Sequence, residues 1–192
     1  MGYFKLKEDY NYIHGIGDFI NLPSNCSFLS GEWIEITLQQ PIYLIVDCLK
    51  NEQPQHFLDT VAPIVSSVFL EALKKSGISN YQSFPVILKN FDLDLEWPNY
   101  FIINVLGLID SADMTKSSFE EIIPGDINDG VAEFGEYDNL IIDENKTKGM
   151  LMFRDLRSPA EIIFNNIIID SLRKSSPEGG WRMKIEYLGE ET

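Results

Sequence analysis

The sequence predicts an α+β fold with a mixed, mostly antiparallel sheet, one long helix at about residues 60–76 and a shorter C-terminal helix. Three observations lead to this prediction. The chain has 192 residues, of which 44% are hydrophobic, so it can build a substantial core. Only two segments repeat apolar residues at helical spacing. Short apolar runs typical of strands lie on either side of both segments, and this grouping is typical of α+β domains.

Four segments precede the long helix. Residues 3–7 alternate weakly between apolar and charged side chains, which predicts a short edge strand. Residues 9–28 are rich in Asn, Gly and Ser and predict an irregular loop. Residues 33–38 alternate cleanly and predict a half-exposed strand. Residues 42–46 are continuously apolar and predict an interior strand.

The long helix is predicted from its apolar spacing and its ends. Asp59 or Thr60 can cap the N-terminus, and Pro63 falls in the first turn, where proline is tolerated. Gly77 suits the position just beyond the C-terminus. The residues that recur on one face are Val61, Ile64, Val65, Val68, Phe69, Ala72 and Leu73.

The most apolar stretch, residues 100–109, predicts the central strand of the sheet, because it does not alternate as a half-exposed strand would. Residues 83–88 predict a strand before it. Pro98 lies just before the start of the central strand, where a missing N–H does least harm. Asn104 places an amide in a dry layer and needs partners there. Gly107 indicates a bulge or a close backbone approach. We interpret both residues as structural.

The C-terminal third predicts short strands around the second helix. Asn165 or Asn166 can cap this helix, which continues through Arg173. No internal repeat is visible in the sequence. We predict that residues 1–192 form a single domain. The strands are expected at residues 140–142, 150–153, 162–164 and 181–187.

The acidic residues are concentrated in one segment, residues 90–145. This segment holds 14 of the 30 acidic residues and one basic residue, Lys116, so it carries a net charge of −13 out of −15 for the chain. A surplus that served only solubility would be spread along the chain. A focused negative field speeds the encounter with a basic protein and sets its orientation. The segment therefore predicts a surface for a basic partner.

The same composition argues against several functions. A pI near 4.4 disfavours binding to nucleic acid or to anionic membranes. No apolar run reaches the roughly 18 residues of a membrane helix, and no signal peptide is visible, so we expect a soluble, cytoplasmic protein. Cys26 and Cys48 are expected to be free thiols. A pair such as Cys48 with His56 cannot be judged from spacing, because such pairs meet in space.

Carboxylates offer the one enzymatic alternative. Asp92, Asp94 and Glu96 alternate with leucines, so on a strand they would share one face and could hold a hard cation or act as acid and base. Asp110 and Asp113 form a second candidate group. The structural alternative is a solvated edge whose charges deter edge-to-edge pairing.

Several segments together resemble a known family, and the passage Asn104–Gly107 followed by Asp110 and Asp113 is the most specific part. Over about residues 60–188 the chain resembles the immunity protein 11 family, first catalogued as a domain of unknown function, whereas residues 1–59 show little similarity. The resemblance implies a bacterial immunity protein of a polymorphic toxin system, which binds and blocks a cognate toxin, often a nuclease, in the cytoplasm. It implies no enzymatic activity. The matching segments are LEALKKSGI (70–78), FPV (84–86), YFIINVLGLID (100–110) and LMFR (151–154).

The resemblance and the charge lead to one hypothesis. A nuclease that grips phosphates must be basic, so an acidic protein can occupy its site. No catalytic residue, metal or cofactor is assigned, and the oligomeric state is left open. The alternative remains a carboxylate-based metal-binding or hydrolytic domain. The candidate partner-binding residues are Asp92, Asp94, Glu96, Asp113, Glu120, Glu121, Asp126, Asp129, Glu133, Glu136 and Asp138.

Overall fold

The computed structural model describes residues 2–9, 11, 15–48, 52–124 and 133–189, and it describes only the backbone of residues 119–124 and 133–136. The described strands form sheets of six, five and two strands. With two helices, this confirms the predicted α+β class. The elements are β1 (Tyr3–Glu8), β2 (Ile16–Ile20), β3 (Ile42–Val46), β4 (Phe57–Leu58), β5 (Ile64–Ser66), α1 (Ser67–Lys75), β6 (Tyr81–Asn90), β7 (Leu95–Val105), β8 (Leu108–Ile109), β9 (Ser118–Pro124), β10 (Glu133–Asn139), β11 (Met152–Asp155), β12 (Ile162–Asn165), α2 (Asn166–Lys174) and β13 (Met183–Leu188).

The six-stranded sheet has the order β2-β3-β6-β7-β5-β4. Strand β7 lies between β6 and β5, which confirms the predicted central strand. It begins at Leu95, however, so Pro98 lies inside the strand and not before its start. The pairing shifts between Leu88↔Trp97 and Val86↔Tyr100, which leaves an extra residue in β7. This bulge accommodates Pro98, which has no N–H to donate to the ladder.

The five-stranded sheet has the order β13-β1-β12-β11-β8. The prediction of an edge strand at residues 3–7 is wrong, because β1 pairs with β12 on one side and β13 on the other. Its lysines are satisfied within the sheet. Lys5, only 8% exposed, lies 2.6 Å from Glu161, and Lys7 lies 2.8 Å from Glu186. Both lysines therefore pair with acids that lie on or next to the neighbouring strands.

The first helix is shorter than predicted and begins at Ser67. The preceding β-branched residues form strand β5, in which Ile64 pairs with Ile102 of β7. Thr60 does not cap a helix, and its hydroxyl donates to the carbonyl of Ala62. Ser66 is the N-cap, since its Oγ accepts a 3.2 Å hydrogen bond from the N–H of Phe69. The predicted apolar face is only partly right: Phe69, Ala72 and Leu73 are buried on α1 and Ile64 and Val65 are buried in β5, but Val61 and Val68 are exposed.

The fold contains an internal repeat that the sequence did not reveal. One unit is β4-β5-α1-β6, with β7 inserted between β5 and β6; the other is β11-β12-α2-β13, with β1 inserted between β12 and β13. Each helix has nine residues and follows a fully buried strand, with Ser66 or Asn165 as N-cap. Two ion pairs, Glu71–Lys74 and Asp170–Arg173, occupy equivalent positions. The predicted cap at Asn165 is thus confirmed.

The two units share one core. The helices contact each other, and a single cluster of buried side chains draws on both helices and both large sheets. At its centre Phe69 packs edge-on against Trp181, with ring centroids 5.2 Å apart. The indole N–H of Trp181 donates to the carbonyl of Leu172, 2.8 Å away. Trp181 therefore links the two helices, through its ring to α1 and through its N–H to α2.

Each large sheet has a second, outer face with its own cover. Residues 22–38, between β2 and β3, supply side chains such as Phe28 and Ile34 to the cluster on the six-stranded sheet. Residues 109–150 supply Ala112, Leu140 and Ile142 to the cluster on the five-stranded sheet. The parts of the acidic segment around Ala112 and at residues 137–142 therefore cover this sheet.

Asp59, next to β4, makes stability dependent on pH. Solvent still reaches the side chain, but desolvation and the neighbouring Glu8 and Glu161 raise the pKa of Asp59 from 3.8 to about 6. The unfolded chain therefore loses this proton first, and the contribution of Asp59 to stability falls as the pH rises from about 4 to about 6. We therefore expect the stability of Asp59→Asn, measured relative to the wild type at the same pH, to be higher at pH 7 than at pH 4. Urea unfolding of both proteins at the two pH values measures this, and an unchanged difference would contradict it.

Candidate partner-binding surface

The structure divides the acidic segment between the two ends of the β6–β7 hairpin. Asp92, Asp94 and Glu96, here the turn group, lie where β6 joins β7. The acidic residues from Asp110 onwards, here the cover group, follow the other end of β7. Strand β7 has 11 residues, which at about 3.3 Å each separate its ends by about 33 Å. The two groups are thus distinct places on the molecule.

The turn group does not form the predicted strand face of three carboxylates. Residues 91–94 form a turn, which the side chain of Asn90 holds by accepting a 3.0 Å hydrogen bond from the N–H of Leu93. Asp94 has a φ of 50° and a fully solvated carboxylate. Lys89 lies 2.7 Å from Glu96 and 4.0 Å from Asp94, so part of this charge is neutralised. Among the described residues no three His, Cys, Asp or Glu side chains are placed to hold a metal ion.

At the start of the cover group, residues 111–113 pair with residues 141–143 through two strand-like hydrogen bonds. The N–H of Asp113 donates to the carbonyl of Ile141, and the N–H of Asp143 donates to that of Ser111, both at 2.8 Å. The carboxylate of Asp113 accepts hydrogen bonds from the hydroxyl and the N–H of Thr115, and these lower its pKa. Asp113 is therefore ionised at neutral pH and remains partly exposed.

Strands β9 and β10 form a two-stranded sheet that carries five of the eleven candidate residues. No Lys or Arg occurs in residues 117–145. The register places Glu121 opposite Glu136, and like charges at opposed positions destabilise a strand pair. Of Glu120, Glu121, Glu133 and Glu136 only the backbone is described, Asp126 and Asp129 lie outside the described residues, and Asp138 is exposed.

A buried carboxylate fastens this layer to the five-stranded sheet. Asp155, fully buried on β11, accepts hydrogen bonds from the N–H and the hydroxyl of Ser111 at 3.0 and 2.6 Å. It also accepts bonds from the hydroxyl of Tyr137 and the N–H of Arg157, both at 3.0 Å. Burial and the nearby Asp155 charge raise the pKa of Tyr137. The carboxylate of Asp110 pairs with Arg157 at 3.1 Å, so this acid is neutralised within the fold.

Asn104 has a structural role that explains the missing strand at residues 33–38. The side-chain amide of Gln82 accepts a 2.8 Å hydrogen bond from the N–H of Ile34 and donates a 2.9 Å bond to its carbonyl. Asn104 donates to Gln82 Oε1 at 2.9 Å and to the carbonyl of Glu32 at 2.7 Å. The prediction of a strand is wrong because side-chain amides, and not a neighbouring strand, satisfy this backbone. The alternation itself is real, since Ile34 is buried and Trp33 is exposed.

Gly107 marks a close approach of two backbone segments, as predicted. It has a φ of 123° and donates a 3.0 Å hydrogen bond to the carbonyl of Gly31. Gly31 has a φ of 70°, and a Cβ there would lie 2.8 Å from the Cβ of Leu108. Residues 31–34, here the clamped loop, are thereby fixed against the base of the β6–β7 hairpin.

The sequence model of the Imm11 immunity protein family matches residues 10–186. The chain belongs to the Imm11 family. A comparison with curated proteins found no match. The Imm11 match confirms the resemblance and extends it towards the N-terminus, because it includes the clamped loop and the cover of the six-stranded sheet. The expectation that the family-like region begins near residue 60 was therefore too narrow.

Membership of the Imm11 family implies a role in toxin immunity and not in catalysis. Cys48 and His56, which the spacing could not judge as a pair, each have another partner. Burial raises the pKa of the Cys48 thiol to about 11, so it stays protonated at neutral pH and donates to the carbonyl of Glu52. His56 Nδ1 lies 2.7 Å from the hydroxyl of Ser66, which caps α1. In the part of the chain that the structure describes, no helix has the length and apolarity needed to cross a membrane.

Proposed function

We propose that this Imm11 protein neutralises a basic, nuclease-like toxin by binding it through the cover group. The observation that carries the proposal is the charge of β9 and β10 and the loop that joins them. Glu121 and Glu136 occupy opposed positions there, and the sequence supplies no basic residue between 117 and 145. A cationic side chain of a partner placed between them would relieve the repulsion.

The cover group fits this role better than the turn group. Lys89 neutralises part of the turn group, whereas β9 and β10 carry no positive charge of their own. Ser111, before β9, and Tyr137, on β10, are both bound by Asp155 of the five-stranded sheet, so these two attachment points are in place before a partner binds. The phosphate-binding cleft of a nuclease is basic, and the acidic strands β9 and β10 placed in that cleft would exclude the nucleic acid. We place the complex in the cytoplasm, and the free thiols Cys26 and Cys48 suit that compartment.

Co-expression with the protein encoded beside this gene tests the proposal. We expect the neighbour alone to stop growth, the pair to grow, and the two proteins to co-purify. A neighbour that is lethal but not rescued, or a rescued pair that does not co-purify, would contradict direct neutralisation.

Charge reversal at Asp126, Asp129, Glu133 and Glu136 to lysine is expected to slow association with the toxin by about tenfold or more at low salt. The difference should shrink as salt is added, because screening weakens the steering. Stopped-flow or surface-plasmon kinetics at two salt concentrations measure it. The matched control reverses Asp18, Glu71, Asp170 and Glu178, which are exposed acids outside the segment. Equal slowing by both sets would mean that total charge, and not this surface, drives association.

A further inference from the structure

Trp33 is the most exposed tryptophan of the chain. Its exposed fraction is 65%, whereas Trp181 is 6% exposed and Trp97 is half-buried. Single exposed apolar residues are common on proteins, but tryptophan is the residue type most enriched among those that dominate binding energy. The display of Trp33 also has a specific structural cause.

The clamped loop fixes the backbone on both sides of Trp33. Asn104, which is fully buried, binds the carbonyl of Glu32, and Gln82 binds both backbone groups of Ile34. Ile34 is itself buried in the core of the six-stranded sheet. Because the backbone is held before binding, a partner would lose little free energy in ordering this loop.

The surroundings of Trp33 define the chemistry of a partner. Glu32 and Glu35 are exposed on either side of it. An indole face attracts a cation, and a carboxylate binds a guanidinium through paired hydrogen bonds. Next to the indole is an open hollow of about 380 Å³, lined in part by Asn25 and Ser27, which leaves room for a long side chain. Together these groups suit an arginine.

We infer that Trp33 is a contact residue for the toxin and stacks on an arginine side chain held by Glu32 and Glu35. The inference rests on the proposed function and adds a second contact, outside the acidic segment. It also assigns a purpose to the Gln82–Asn104 pair, which holds the backbone on both sides of the exposed indole. Trp33 would contribute binding energy at this contact, while the negative charge of the cover group would speed association.

Trp33→Ala is expected to raise the dissociation constant for the protein encoded beside this gene by about 10- to 100-fold, mainly through faster dissociation. Calorimetry and surface-plasmon kinetics with that protein measure this. The control is Tyr187→Ala, because Tyr187 is 55% exposed on β13 and lies outside the proposed contact. A matched readout is acrylamide quenching: binding should protect the fluorescence of the wild type, and Trp33→Phe should lose most of that protection.

The outcomes separate this inference from the proposed function. If Trp33→Ala binds as tightly as the wild type while reversal of the cover group slows association, the Trp33 contact is wrong and the proposed function stands. If Tyr187→Ala weakens binding as much as Trp33→Ala, the effect is not specific and the inference fails. If the wild type itself does not bind the neighbouring protein, the proposed function fails first.

Discussion

Asp155→Ala is expected to lower the free energy of unfolding by about 3–5 kcal/mol. The carboxylate is fully buried and accepts four hydrogen bonds, two of them from Ser111 and one from Tyr137. Alanine would leave the two donors of Ser111 buried without an acceptor, and each such group costs about 1–3 kcal/mol. Urea unfolding followed by circular dichroism measures the change. Asp170→Ala, which removes an exposed acid paired with Arg173, is the control and should change stability by less than about 1 kcal/mol.

The effect of Asp155→Ala should be local as well as large. Asp155 ties Ser111 and Tyr137 to β11, so its loss should release the cover of the five-stranded sheet before the shared core opens. Hydrogen exchange is expected to speed up at Ser111 and its neighbours more than at Ile102 of β7. Equal acceleration in both places would mean that Asp155 supports the whole fold. A stability loss below about 1 kcal/mol would contradict the anchoring role.

Local patterns predicted the elements whose cause is local. The run at residues 42–46, the capping side chain of Asn165 and the apolar stretch of β7 each specify their own structure. The predicted start of α1 was wrong because Val61, Ile64 and Val65 fit either a helix face or a buried strand. Only the pairing of Ile64 with Ile102 decides for the strand. The repeat is hidden because it preserves burial and capping rather than residue identity, as Ser66 and Asn165 illustrate.

The candidate surface was predictable in charge but not in shape. The sequence shows the excess of acid between residues 90 and 145, and it cannot show that β7 separates Asp92 from Asp113. The display of Trp33 depends on side chains 48 and 72 positions away from the residues they hold, namely Gln82 and Asn104. Asn104 stands out in the sequence as a polar residue in an apolar run, which indicates that it needs hydrogen-bond partners. The sequence does not identify those partners, Gln82 and the carbonyl of Glu32.

Truncating the centre of the shared core is expected to cost about as much in either unit of the repeat. Phe69 and Ile168 occupy equivalent positions on α1 and α2, and both are fully buried. We expect Phe69→Ala to cost about 3–5 kcal/mol and Ile168→Ala about 2–5 kcal/mol. Val68→Ala and Ile167→Ala, the half-exposed neighbours on the same helices, are the controls and should cost less than about 1 kcal/mol.

The form of the transition tests the prediction that residues 1–192 are one domain. Because one cluster joins both helices to both large sheets, the loss of either side chain should shift a single cooperative transition. Tryptophan fluorescence, which reports on Trp33, Trp97 and Trp181 together, and far-ultraviolet circular dichroism should then give the same urea midpoint. Two transitions, one shifted by Phe69→Ala and the other by Ile168→Ala, would mean that the units unfold separately. In that case the contact between α1 and α2 would act as an interface between two domains, and the binding surfaces proposed above would belong to different units.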